Sequence, residues 1–481
     1  MALDYDLSSI QEARDLAKKA KEAQLKFAEF SEAENKRVLA EIAKAAEANA
    51  ELLAKMAVDE TKFGKVEDKV TKNIFAARDV YEFIKDMPVL GVIKEDKVRK
   101  IIEMGVPMGV LMGIVPSTNP TSTTIYKALV SLKAGNGIVF SPHPGAARCT
   151  YTAAQILHDA AVKAGAPEGI IGCLSKVTMA ATQELMHHKD IALILATGGP
   201  GMVKAAYSSG KPAYGVGAGN VPAFIERTAD IKKAVADIIK SKSFDNGVIC
   251  SSESSILVDA PIKEQVYREL KAQGAYILNE EEVAKVSARV MTPQGGMNAA
   301  LVGKTPQIIA EKAGINIPEN TKLLVAPLDG YGPGYPLSYE KLTTVVALYL
   351  VKDWEEACHL AIELLNLMGI GHSFAIHSQN EEIIREFMRK PVSRILVNTP
   401  SSLGGVGFST GLAPALTLGC GTMGGSSTSD NVTPLHLRDV KRLAYDLPKG
   451  EDKSLKQAAG SDVNPEDIAA IVRKVLAQMK L

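Results

Sequence analysis

Neither sign of charge prevails in this chain: 55 Lys and Arg meet 55 Asp and Glu, so the formal net charge over 481 residues is zero. There is no long-range field to gather nucleic acid or an anionic membrane, and a phosphate-bearing ligand would need a local site. Cysteine is scarce. The five residues, at 149, 173, 250, 358 and 420, form no CxxC and no Cys/His ligand spacing, which argues against a disulfide framework and a structural zinc site. No metal is expected, and the chain is expected to be cytosolic with reduced thiols. A long apolar run is also missing. The N-terminus mixes acidic and basic residues and has no apolar core of signal-peptide length. The longest uncharged run, Met104 to Tyr126, holds Pro107, Pro116 and Pro120 and would leave backbone groups unsatisfied in lipid, so it predicts strand and loop and no membrane span.

What is present is apolar content for a large core: 46% of residues are hydrophobic, enough for two or three domains. Residues 8–86 carry helical spacing, with Val38, Leu39, Ile42, Ala46, Leu52, Leu53 and Met56 on one side. "VIKEDKVRKIIEM" predicts a β-hairpin. From 110 onward, short apolar runs alternate with helical segments, and a second such set begins near 223. Repeated strand–helix–strand implies parallel sheets covered by helices, with ligands in a cleft between two α/β lobes. After "HLRDVKRLAYDL", residues 448–464 are polar and Gly-containing, a flexible linker. Pro465, Glu466 and Asp467 then open an amphipathic helix over 465–481, with Ile468, Ile471, Val472, Val475, Leu476 and Met479 on one face. Such a helix docks either on its own body or sister subunit, or on another protein.

Chemistry is suggested at four places. Cys250 follows "DNG", a strong turn signal, so it sits on a loop or helix start where backbone N–H groups favour a thiolate. An arbitrary free cysteine is more often inert and buried, and the other four keep that reading. "TGGPGMVKAAY", 197–207, follows a strand and opens a helix, as a phosphate-binding turn does, though it is not GxGxxG and many such turns bind nothing. "GVGAGN", 215–220, is a second Gly-rich segment. Asn119, held between two prolines in "VPSTNPTST", can donate to a developing oxyanion or simply make a turn.

The joint order of these pieces, with "EKLTTV" following, resembles the aldehyde dehydrogenase superfamily over residues 3–447. Within it, "GIVPSTNPTST", "IVFSPHP", "FDNGVICSSE", "GIGHSFAIHS" and "TLGCGTMGGSSTSDNVTPLHL" resemble the CoA-acylating members that act on acetaldehyde or propionaldehyde. The resemblance implies an α/β fold of two Rossmann-like three-layer lobes with a small oligomerisation arm. It places a nicotinamide-cofactor domain at 1–222, with the hairpin near 90–105, a catalytic domain at 223–412, and a return segment at 413–447. By position it makes Cys250 the nucleophile and Asn119 the oxyanion donor. Thr197, Gly198, Gly199, Pro200 and Gly201 fall in the cofactor phosphate loop, with Val216 and Gly217 nearby. Ser141 and Pro142 fall near the adenine ribose, and Glu340 at the nicotinamide ribose. Hydrolytic members have Lys in place of Ser141, which leaves NAD against NADP open.

Where hydrolytic members read "ELGG" this chain reads "GVGAG", so their general-base Glu is matched by Gly215. With no base to activate water, a thioester on Cys250 would persist until a thiol such as that of CoA arrives. His372, in the matched "GIGHSFAIHS", is either an aid to thiol deprotonation, if exposed near the cleft, or a structural histidine satisfied by backbone. The expected cofactor is NAD, with NADP as the alternative, and CoA is co-substrate. A short aliphatic aldehyde leads, ahead of succinic semialdehyde and sulfoacetaldehyde. A hydrolytic dehydrogenase and a catalytically silent assembly component are the rival readings. The resemblance further implies a homodimer or homotetramer, and the C-terminal helix resembles the peptides that dock enzymes onto bacterial microcompartment shell proteins.

Overall fold

The computed structural model describes residues 2–292 and 296–447; the expected linker 448–464 and helix 465–481 lie outside the described residues. Contacts divide the chain into two compact units, Met1–Met87 with Pro107–Leu437, and Pro88–Val106 with the chain from Arg438 onward. Both expected lobes therefore fall within the first unit.

Helices Ala2–Phe27, Glu32–Ala48, Ala50–Thr61 and Val66–Ile74 form the N-terminal layer. The apolar stripe read as continuous across 38–56 is broken at Asn49, which ends one helix and starts the next, and Leu52 is left exposed. Ser31 and Glu34 form a reciprocal capping box at the second of these helices. The predicted hairpin is β1 (Gly91–Asp96) and β2 (Ile101–Pro107), paired antiparallel with a bulge between Val92 and Lys94.

The larger unit holds two parallel sheets. The first contains β3 (Val110–Val115), β4 (Gly137–Pro142), β5 (Ile171–Cys173), β6 (Ile191–Thr197) and β7 (Ala213–Val216), in the order β5-β4-β3-β6-β7. All six residues of β3 and of β4 are buried, as strands covered on both faces must be. Part of the uncharged run read as strand and loop is helical: Pro120 starts the helix Pro120–Lys133, where its missing N–H costs nothing.

The second sheet contains β8 (Val221–Ile225), β9 (Glu253–Asp259), β10 (Ala275–Ile277), β11 (Leu323–Pro327), β12 (Val345–Val351), β13 (Gly371–His377) and β14 (Val392–Val397). Their order is β10-β11-β12-β9-β8-β13-β14. Buried Val, Ile, Leu and Ala on these strands pack against helices Ile231–Ser243 and Lys263–Ala272 on one side and Trp354–Leu367 on the other. The chain passes from one sheet to the other through Gly217–Asn220, because β8 already begins at Val221. The last strand, β15 (Arg438–Ala444), completes the smaller unit in the order β1-β2-β15. Among the described residues, no helix is long and apolar enough to cross a membrane, and no group of three or more His, Cys, Asp or Glu is placed to hold a metal ion.

Candidate active site

In the five-stranded sheet, β4 and β5 lie to one side of β3 and β6 and β7 to the other, so strand order reverses between β3 and β6. The carboxyl ends of strands at such a reversal leave a crevice, the usual ligand position in an open α/β sheet. A cavity of about 220 Å³ lies there. It is lined by residues 116–119 after β3, His143 after β4, Thr197, Gly198, Gly199 and Pro200 after β6, and Val216, Gly217 and Ala218 at and after β7. Val248, Cys250, Glu340 and Leu342, from the part of the chain that carries the second sheet, complete it. The volume is below the roughly 300–1,000 Å³ of a pocket for a whole ligand, so it encloses a reacting end and not an entire dinucleotide.

Cys250 lies in a turn three residues before β9 and keeps part of its surface open to the cavity. The loop before it is held in unusual backbone: Asp245, Asn246 and Gly247 have φ of 46°, 52° and 75°. Gly219 packs against this loop so closely that a β-carbon on it would lie 1.7 Å from the Cys250 carbonyl oxygen. Only glycine permits that approach. His372, the second residue of β13, is fully buried, and the strand start carries it to the Cys250 turn. Its Nε2 lies 3.3 Å from Cys250 Sγ, and its Nδ1 lies 3.0 Å from Ser373 Oγ. The Nδ1–H tautomer, donating to Ser373, leaves Nε2 free to accept the thiol proton.

Burial pushes the Cys250 thiol up to about 12, with the charges of Glu340 and Cys420 adding and Arg394 opposing. Burial also pulls His372 down to about 3, helped by the charge of Arg394. Both groups are therefore neutral near pH 7. Arg394 is buried and donates to the carbonyl of His372 at 2.9 Å, to Asn431 Oδ1 at 2.9 Å and to the carbonyl of Gly419. It fixes the imidazole's backbone from behind.

Asn119 is the N-cap of helix Pro120–Lys133. Its Nδ2 lies 3.2 Å from Thr118 Oγ1 and 3.5 Å from the carbonyl oxygen of Val248, so the amide donor faces the nucleophile loop. Its Oδ1 accepts from Lys72, which also donates to Asp245. Lys69 donates to the same carboxylate at 2.9 Å and Lys65 N to its other oxygen at 2.8 Å. Burial lowers Lys72 to about 8 while Asp245 pushes it back up.

Lys69, Lys72 and Asp245 were not read from the sequence. The signal was there in principle, since Lys65, Asp68, Lys69 and Lys72 share one face of a helix. A charged stripe normally faces water, however, and Asp245, 173 residues from Lys72, was absorbed into the turn signal.

Around the expected cofactor residues, the Thr197 hydroxyl oxygen is buried with no partner among the described residues, and β-carbons on Gly199 and Gly201 would meet no atom within 4 Å. Helix Pro200–Tyr207 begins there; Pro200 has no N–H, Met202 N and Val203 N both donate to the Gly199 carbonyl, and the Gly201 N–H is the first-turn donor left for a ligand. An orphaned hydroxyl, open space above glycines and the Gly201 N–H fit a pyrophosphate. Glu340 lines the cavity and its Oε1 accepts from Gly219 N at 2.6 Å; burial raises its carboxyl. Ser141 is buried with its hydroxyl 2.9 Å from Thr182 Oγ1, and Pro142 ends β4; the side chain that lines the cavity at this strand end is His143.

A β-carbon on Gly215 would lie 2.6 Å from Val203 Cγ1 and 2.9 Å from Tyr207 Cε2, pointing into helix Pro200–Tyr207 and away from the cavity. Gly215 thus supplies no base, and its neighbour Val216, a hydrocarbon, lines the cavity.

A model of the aldehyde dehydrogenase family matches residues 3–290. The bifunctional aldehyde-alcohol dehydrogenase AdhE of Escherichia coli (strain K12) is 46% identical over 445 residues, which are 91% of this chain and 50% of that protein. The chain thus spans about half the length of that relative. The crystal structure of an acetylating aldehyde dehydrogenase from Geobacillus thermoglucosidasius superposes with a TM-score of 0.91 at 53% identity, covering 93% of this chain and 99% of that one. A propionaldehyde dehydrogenase from the fucose utilisation bacterial microcompartment of Clostridium phytofermentans gives a TM-score of 0.83 at 30% identity, covering 90% and 97%. With these likenesses extending over the crevice, the cysteine turn and both sheets, the chain belongs to the aldehyde dehydrogenase family and, within it, stands with the acylating members.

Proposed function

We propose that this chain is a CoA-acylating aldehyde dehydrogenase, running aldehyde + CoA + NAD⁺ ⇌ acyl-CoA + NADH + H⁺ on short aliphatic aldehydes. The observation that carries it is that Cys250 Sγ, at the cavity that Asn119 also lines, lies 3.3 Å from His372 Nε2, with glycine at 215 where hydrolytic members have their general-base Glu.

The residues act in sequence. As Cys250 Sγ adds to the aldehyde carbonyl, its proton passes to His372 Nε2, and the negative charge moves to the carbonyl oxygen instead of staying on sulfur. The Asn119 Nδ2–H groups and the Cys250 N–H receive that oxyanion. Thr197 to Gly201 and Glu340 would hold the dinucleotide, which when bound supplies the acceptor for the aldehyde hydride. The acyl group then sits on Cys250 as a thioester. His372 releases its proton and next takes one from the CoA thiol; the CoA sulfur attacks, and the Cys250 thiolate leaves and recovers its proton. With Gly at 215 the carboxylate that hydrolytic members use on water is missing, and the CoA thiol, far more ionised at neutral pH than water, takes the acyl group.

NAD is the proposed cofactor, NADP the alternative, and His143 rather than Ser141 is the side chain nearest the choice. A homodimer or homotetramer is proposed, with the β1–β2 hairpin and the segment after Cys420 crossing between subunits. Gel filtration with light scattering tests the subunit count. Residues 465–481 are proposed to dock on a microcompartment shell protein, the apolar stripe in their sequence being the support.

The test of the reaction is a product assay with acetaldehyde, propionaldehyde and succinic semialdehyde, with and without CoA. Wild-type protein is expected to form acyl-CoA and NADH only when CoA is present, and Cys250→Ala to lose at least about 10⁴-fold in turnover. Free acid formed without CoA would assign a hydrolytic enzyme, and CoA-dependent NADH from Cys250→Ala would remove the nucleophile.

A further inference from the structure

An asparagine amide is nearly symmetric in shape. Turned one way it offers two N–H donors to an oxyanion; turned the other it offers a carbonyl that repels one. At Asn119 something must decide. Lys72 donates to Asn119 Oδ1, and an ammonium has three donors and no acceptor, so only the oxygen end of the amide can face it. The Nδ2 end is left pointing at Thr118 Oγ1 and at the carbonyl of Val248, two residues before the nucleophile.

Lys72 is itself anchored. It is buried and shares Asp245 with Lys69, which also donates to the carbonyl of Thr118 at 3.0 Å. Asp245 is fixed in turn, for its N–H donates to Asp68 Oδ2 at 2.7 Å and its second oxygen accepts from Lys65 N at 2.8 Å. Helix Val66–Ile74 thereby ties the loop that carries the nucleophile to the loop that carries the amide.

We propose that Lys72 is a positioning residue for the oxyanion site: it locks the Asn119 amide with its donors toward the cavity and polarises them by drawing on the amide oxygen. The inference rests on the reading of Asn119 as oxyanion donor given above. Lys72 touches neither substrate nor cofactor; it acts through Asn119.

The test uses the full chain, steady-state NADH formation with CoA, and a double-mutant cycle. Lys72→Met is expected to lower kcat by about 10–100-fold, below the ~10²–10³ of losing a donor outright. KM for aldehyde and CoA should move less than about threefold, since only the transition state carries the charge. Lys72→Arg, which keeps a donor, should recover most of the loss. In an Asn119→Ala background, Lys72→Met should cost less than about threefold more. Alkylation of Cys250 by iodoacetamide, which creates no oxyanion, should stay within about threefold of wild type in Lys72→Met.

A wild-type kcat in Lys72→Met overturns the proposal. So does an equal loss in both backgrounds, or turnover and alkylation falling together, which would make Lys72 a scaffold residue only. If Lys72→Met does not fold, Lys72→Gln carries the same comparison. Asn119→Ala with unchanged kcat would instead sink the oxyanion reading itself.

Discussion

Cys250 and His372 face each other as two neutral groups, the thiol pushed up to about 12 and the imidazole pulled down to about 3 by the same dry surroundings. The sulfur is therefore not a resting thiolate. Its alkylation by iodoacetamide should rise about tenfold per pH unit from 7 to 10 with no plateau, because the thiolate fraction grows tenfold per unit at any pH well below the thiol's own value. A plateau near pH 7 would mean a preformed thiolate–imidazolium pair. Cys250 and Asn119 were legible because each sits inside a contiguous string whose residues all bear on one turn. His372 was legible as part of a matched string, but its 3.3 Å approach to Cys250 Sγ was not, since 122 residues separate the two and only the folded chain brings the start of β13 to the cysteine turn.

At the scale of elements, β9 carries a titrating group of its own. Glu253 is fully buried at the strand's first residue; one oxygen accepts from Ser401 N at 3.0 Å and the other has no partner among the described residues. Burial raises this carboxyl from 4.5 to about 7. The folded chain thus keeps a proton that the unfolded chain loses above about 4.5. Its contribution to stability is whole below that pH and drains away as the pH climbs to about 7. Glu253→Gln, which mimics the protonated form, should leave the urea midpoint near wild type at pH 4.5 and raise it at pH 8, by on the order of 2–3 kcal/mol in stability. An equal shift at both pH values would place the effect elsewhere. The helices and strands were largely legible from periodicity. What escaped were breaks that tertiary contacts impose, such as Asn49 between two helices, and the lysines of Val66–Ile74, whose charged face lies inward against a carboxylate from far along the chain.

For the whole molecule, every residue assigned to the reaction lies between Lys65 and Arg394 in sequence. Truncation after 447 should therefore leave CoA-dependent turnover within about twofold while abolishing co-sedimentation with shell protein. Retained shell association in the truncated chain would refute the docking role of 465–481, and lost turnover would show that the site needs the C-terminal segment. The two-sheet architecture was legible because buried parallel strands are short, apolar and separated by amphipathic helices. The sheet order was not, since it depends on pairings between strands as distant as β8 and β13.

The glycine at 215 has a thermodynamic meaning as well as a kinetic one. An enzyme that admits activated water discards the energy of aldehyde oxidation as heat and can run one way only. In the proposed reaction that energy stays in a transferable bond, so the balance lies near the middle and can be tipped by the cell's ratios of oxidised to reduced nicotinamide and of free to acylated CoA. If the proposed reaction holds, one missing side chain would let the same machine run either toward acyl-CoA or back toward aldehyde.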